Sequence, residues 1–203
     1  MFRQIPITRL ILSLVFAYAF SWLTFSNDKV FWYFYTFTVL FLMSTAYFYA
    51  KIEDELKTIH YLFLSIAFGA IMYALLLIGY KIIDLTPFTS TKSIHAFMKK
   101  FGPSSLWHYL LLLFIIAPGE ELFWRGYIQQ QLKKYLSPMF AIILGAALFS
   151  FSFVFSGFWL GIIAAFVVGL LLGYLYEWKK SMPLIILAHI TMLVLLFLFV
   201  PFT

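Results

Sequence analysis

Cysteine is absent from the 203 residues. That excludes disulfides, thiolate metal sites and a cysteine nucleophile. Charge is scarce: 11% of the residues are charged, against about 25% in an ordinary soluble domain. Glycine and proline are also few, 10 and 7, and no low-complexity linker divides the chain. What is abundant is apolar surface. Apolar residues make up 64% and aromatics 22%, including 26 Phe and 13 Tyr. A soluble domain of this size leaves too much of its chain exposed to hide that surface. The composition therefore excludes a soluble globular domain, a disordered chain and a nucleic-acid-binding domain. The net charge of +6, from 14 Lys+Arg against 8 Asp+Glu, contains no dense basic cluster of the kind that grips nucleic acid.

Seven apolar segments follow one another, at about 8–26, 30–50, 59–80, 105–133, 138–156, 158–178 and 183–200. Their runs are continuous and do not alternate with period two, which excludes a transmembrane barrel. Helices satisfy all their backbone groups internally, as lipid demands. Seven spans at about 20 residues each use roughly 140 residues. The expectation is an all-α, polytopic transmembrane helix bundle, with residues 1–203 forming a single integral membrane domain. Arg3, Arg9 and Ala17-Tyr18-Ala19 imitate a signal-peptide pattern. The apolar run continues through Phe25, as in a permanent anchor.

Lysine and arginine counts set the orientation. With a cytoplasmic N-terminus, eight fall on the cytoplasmic side (Arg3, Arg9, Lys51, Lys57, Lys133, Lys134, Lys179, Lys180). Five fall outside (Lys29, Lys81, Lys92, Lys99, Lys100). A multi-pass protein of a bacterial cell membrane, N-terminus inward, fits this bias. The lysines between 81 and 100 oppose it. Ile94, Phe97, Met98 and Phe101 there have helical spacing, which predicts an interfacial helix with its lysines among headgroups.

The fourth segment carries the chemistry. Glu120, Glu121 and Arg125 interrupt it in the run Pro118-Gly-Glu-Glu-Leu-Phe-Trp-Arg125. If the helix leaves the bilayer near Lys133, Glu120 lies roughly 20 Å inside. Ionisable groups at that depth are costly and mark function. Glu121 and Arg125, four apart, share a face and can pair. Glu120 is turned about 100° away from Glu121, free to face a cavity. A poorly solvated carboxylate there suits a general base that activates water. Pro118 and Gly119 should loosen the helix beside it. The competing reading is an ion-pair cluster that only fixes packing.

His189, in the last segment, lies about 14 Å inside the same leaflet. With Glu120 it could bind water, a proton or a metal ion. No cofactor is expected. A divalent metal such as zinc would find only Glu120 and His189, where catalytic zinc takes three protein ligands. His60, His95 and His108 offer less, and His108 lies about 18 Å along the helix from Glu120. Ser150, Ser152 and Ser156 are expected to bond their own backbone. Gly157, Gly161, Ala165, Gly169 and Gly173 form a small-xxx-small stripe. Its expected use is packing within the bundle, with homo- or hetero-oligomerisation through the glycines as the alternative.

Glu120-Glu121-Leu-Phe-Trp-Arg125 resembles the Glu-Glu-x-x-x-Arg signature of the CPBP family, the CAAX proteases and bacteriocin-processing enzymes also called Abi proteins. The resemblance covers a core of about 105–200. It includes, in order, a glycine-bearing helix ending in Tyr174-Leu-Tyr-Glu and a final helix with a histidine. It implies that Glu120 activates the hydrolytic water, that Glu121 and Arg125 support the site, and that His189 binds the substrate carbonyl and its developing oxyanion. Family members trim prenylated CAAX tails, or process peptides and confer bacteriocin self-immunity. Two departures stand out. The family's Phe-x-x-x-His has no histidine in Phe149-Ser-Phe-Ser-Phe153-Val-Phe155, and Leu193 stands four residues after His189 where the family has Asn or Asp.

The leading expectation is thus an intramembrane endopeptidase acting on a membrane-embedded or membrane-associated protein or peptide, within the lipid bilayer and without nucleic acid. Second is a catalytically inactive relative that binds and regulates another membrane protein. A transporter or proton relay comes third, without apparent inverted repeats.

Overall fold

The computed structural model describes residues 7–49, 52–55, 58–85 and 91–199. The described residues are overwhelmingly helical. We number the helices α1 (Ile7–Ser26), α2 (Phe31–Tyr49), α3 (Thr58–Asp84), α4 (Thr91–Phe101), α5 (Leu106–Leu132), α6 (Pro138–Ser156), α7 (Trp159–Lys179) and α8 (Met182–Leu198). Six of them are long and apolar enough to cross a membrane, and α8 is a shorter apolar helix. The chain is an integral, multi-pass membrane protein. Arg3, Lys51 and Lys57, which enter the charge count, lie outside the described residues.

Helix ends follow local chemistry. The Asn27 side chain accepts from Lys29 N at 3.0 Å and turns α1 into α2. The Ser105 hydroxyl caps α5 by accepting His108 N at 3.3 Å. Pro138 and Pro183 lie in the first turns of α6 and α8, where a missing N–H is harmless. Gly157, at φ +69°, stops α6 in the left-handed region that suits glycine. It is thus a terminator and not the first member of a packing stripe on α7.

Helix α5 is the centre, touching α2, α6, α7 and α8. Its first half joins a core with α3 and α8 that includes Met72, Ile116, Leu184 and Ile185. Its second half joins another core with α1, α2 and α6 that includes Leu10, Ala17, Phe123, Tyr127 and Phe149. Pro118 lies between the two. Wide π-helical turns flank it, at Leu112–Ile116 and Leu122–Gln129. Proline cannot donate to the carbonyl four residues back and its ring crowds that carbonyl. A widened turn relieves both, and such turns recur at functional sites. The loosening expected at Pro118-Gly119 therefore takes this form.

Close helix approach depends on small residues at several places, among them Gly69 of α3, where a Cβ would lie 2.7 Å from Ala188 O of α8. A Cβ on Gly119 would collide with Val39 Cγ1 of α2. On α7, a Cβ at Gly169 would lie 3.1 Å from Ala146 Cβ and 3.4 Å from Arg125 Nη2. The inward half of the glycine stripe is therefore used within the bundle, and Gly169 and Gly173 offer no surface to a second chain. Gly161 instead borders an internal cavity. Helix α4 is amphipathic, as its spacing predicts: Ile94 and Phe101 are buried while Lys99 and Lys100 are exposed. Phe101 packs on Phe25 and Phe31, and Phe97 stacks on Phe158. The helix thus closes one end of the bundle.

Candidate active site

Glu121 and Arg125 pair along α5, with Arg125 Nη1 donating to Glu121 Oε1 at 2.9 Å. Glu121 is 0% exposed and Arg125 2%. His189 of α8 joins the same oxygen, its Nδ1 2.8 Å from Glu121 Oε1. A carboxylate held by a guanidinium only accepts, so Nδ1 carries the proton and donates. This leaves Nε2 as the nitrogen for other work. The guanidinium also lies over the Phe149 ring, 4.6 Å from its centroid. Glu121 Oε2 and Arg125 Nη2 are buried without a hydrogen-bond partner among the described residues.

Glu120 differs from its neighbour. It makes no salt bridge with Arg125. Its Oε1 accepts the hydroxyl of Tyr35, on α2, at 2.5 Å. The sequence reading leaves Glu120 free and matches it to His189. In the structure Glu120 stands outside the ion pair and borders a cavity shared with His189, but it also accepts from Tyr35, and the hydrogen-bond partner of His189 is Glu121. Tyr35 went unrecognised because it sits in the run Phe31-Trp-Tyr-Phe-Tyr35, which reads as interfacial aromatics.

Two cavities meet at Glu120. One, of about 370 Å³, is walled by α2, α3, α4, α7 and α8, with Phe31, Leu76, Phe97, Val168 and Met192 among its apolar sides. Glu120, Tyr35 and His189 also border it. Phe153 and Leu193, at the two positions where the CPBP pattern has polar residues, line it as well. The other cavity, of about 20 Å³, lies towards α1 and α6 and is bordered by Ser21, Thr24, Thr38, Ser152 and Glu120. The expected backbone bonds of the α6 serines are present: Ser150 to Ala147 O, Ser152 to Phe149 O and Ser156 to Phe153 O.

The four residues singled out in the sequence therefore fall into a hydrogen-bonded trio, Arg125–Glu121–His189, and a carboxylate beside it. Among the described residues no group of three His, Asp or Glu side chains could hold a metal ion. Glu120 and His189 alone make an incomplete donor set for catalytic zinc.

The comparisons with known proteins bear on the same stretch. The family model for type II CAAX prenyl endopeptidases, Rce1-like, matches residues 102–195. Neither the curated proteins nor the solved structures give a match. The matched stretch runs from the loop before α5 into α8 and contains Glu120, Glu121, Arg125 and His189, and over it the chain is similar to the CAAX-protease family.

Proposed function

We propose that the protein is an intramembrane endopeptidase that hydrolyses a peptide bond of a membrane-associated protein or peptide with water activated by Glu120. One observation carries the reading: Glu120 is a carboxylate outside the ion pair, standing where a small pocket with hydroxyls in its wall meets a large apolar cavity. In the reaction, water attacks the carbonyl carbon as Glu120 takes its proton. The C–O bond forms and the carbonyl electrons move onto oxygen. Collapse of this intermediate breaks the C–N bond, and Glu120 returns the proton to the leaving amine. His189 borders the same cavity, and an Nε2–H there would donate to the developing oxyanion. Glu121 and Arg125 position that ring.

The apolar cavity suits a lipid-soluble part of the substrate beside the bond that is cut. It lies at the end of the bundle formed by α4 and the start of α7, opposite Lys133 and Lys180. With the N-terminus cytoplasmic, the substrate would enter from the outer half of the cell membrane. A non-catalytic scaffold that binds a membrane partner is the second reading. Phe153 and Leu193 on the cavity wall favour it, because each removes a polar group from the family pattern, and one lost oxyanion donor lowers a rate by on the order of 10²–10³.

Membrane proteomes and peptide products of wild-type, deletion and Glu120→Gln strains, at matched expression, test the proposal. A precursor that accumulates in both the deletion and Glu120→Gln identifies a protease and its substrate. Glu120→Gln behaving as wild type beside a deletion phenotype removes catalysis and leaves the scaffold.

A further inference from the structure

The 20 Å³ pocket on the α1 side of Glu120 has the size of a single water site. A cavity needs about 10–15 Å³ of such volume for one water molecule, together with two to four polar partners. This one has room for one and not two. Four of its five hydroxyls have already committed their protons, and the fifth, Ser21, makes no such bond among the described residues. Thr24 donates to Phe20 O at 2.8 Å, so in its 3.1 Å contact with Thr38 it accepts and Thr38 donates. Ser152 donates to Phe149 O at 2.6 Å. Tyr35 donates to Glu120. Thr38, Ser152 and Glu120 therefore face the pocket as acceptors. A water molecule among these three must donate to them, one proton to Glu120 and one to a hydroxyl oxygen, while the Ser21 hydroxyl can donate to it. Its lone pairs then point away from these acceptors. Phe25, Tyr35 and Phe153 border both cavities, so the pocket adjoins the large cavity. Thr38 and Ser152 come from α2 and α6, outside the Glu-Glu-x-x-x-Arg motif.

We propose that this pocket holds one water molecule, oriented by Thr38 and Ser152, and that this is the water Glu120 activates. The first half stands on the pocket alone, and the second rests on the protease reading. Thr38 and Ser152 are positioning residues, set by hydroxyls where the family pattern supplies a histidine from α6.

A high-resolution structure of the full chain in lipid, for wild type and for Thr38→Val/Ser152→Ala, reads the site directly. Turnover is measured on the precursor that accumulates in the Glu120→Gln strain. The expectation is one ordered water bonded to Glu120 in wild type and none in the double variant. Turnover should fall roughly fivefold for each hydrogen bond lost, with KM unchanged, and Thr38→Ser should restore most of the Thr38→Val loss. A dry wild-type pocket overturns the proposal. So does density that appears in sodium but not in choline buffer, which would mark a cation. An ordered water whose loss leaves turnover unchanged overturns the positioning role. If no precursor accumulates in Glu120→Gln, the protease reading fails on its own, and pocket occupancy still decides the water site.

Discussion

Two ion-pair clusters sit on α5 and differ in depth. At its end, Lys133 Nζ donates to both oxygens of Glu177, at 2.9 and 2.7 Å, and Lys180 Nζ reaches the same carboxylate at 2.5 Å. These side chains keep 21–24% of their surface exposed. Roughly 18 Å along the helix, Glu121 meets Arg125 and His189 in a site that is almost wholly buried. The chemistry is alike and the consequences are not. Partly solvated pairs are worth about 0.2–1 kcal/mol, because each ion is nearly as comfortable in water. A buried pair stabilises little by its presence, yet stranding one partner costs about 3–5 kcal/mol. The outer cluster is thus expected to contribute little, while the inner one joins α5 to α8. Glu120 belongs to neither cluster, as its proposed role as a base requires.

The strongest way to break this contrast is Arg125→Met. It leaves Glu121 with only an imidazole, in a dry site, and removes the cation from the Phe149 ring. A destabilisation of about 3–5 kcal/mol is expected, read as loss of folded protein in a thermal melt of the solubilised chain. Glu121→Gln added to Arg125→Met should recover part of that stability, since no charge is then stranded, without recovering activity. Equal stability of Arg125→Met and wild type would mean that water reaches the pair and that the inner site resembles the outer one.

Glu120→Gln separates chemistry from packing. The amide keeps the shape and can still accept from Tyr35, but it cannot take a proton. Processing should fall by about 10²–10⁴, the usual contribution of a general base, while the melting temperature stays near wild type. Precursor assays and melts on the same preparations check both halves. A large drop in melting temperature would place Glu120 with Glu121 as a structural carboxylate.

Tyr35→Phe is expected to have a smaller effect. One hydrogen bond to Glu120 is lost, and turnover should change by roughly fivefold in one direction, with the fold intact. A turnover assay against the accumulated precursor reads it. An effect as large as that of Glu120→Gln would make Tyr35 a proton carrier and not a neighbour that steadies the carboxylate.

Tyr35 also shows where sequence reading stops. Composition and run length made the bundle legible, because lipid permits few alternatives to long apolar helices. The Glu121–Arg125 pair was legible too, since four-residue spacing is local geometry. The π-helical turns were foreshadowed by Pro118 but not specified by it. What could not be read is which segments meet. Tyr35 reaches Glu120 across 85 residues, and His189 reaches Glu121 across 68. Equal depth matched His189 to Glu120, and its bond to Glu121 could not be read from it. The hydroxyls at Thr38 and Ser152 converge from separate helices, and each alone looks like an ordinary self-bonded side chain.

Lys133→Met tests the other side of the contrast and should have the least effect. Glu177 keeps Lys180 at 2.5 Å, and the cluster retains access to water. The expected change in stability is within about 1 kcal/mol, shrinking further in high salt because exposed pairs are screened. Activity should stay unchanged, since the cluster lies at the opposite end of the bundle from the large cavity. Thermal melts of Lys133→Met at low and high salt, run beside Arg125→Met, measure the two depths on one scale. A salt-insensitive loss comparable to that of Arg125→Met would show that Lys133 is held as tightly as the inner arginine. The end of α5 would then be part of the buried framework and not its solvated rim.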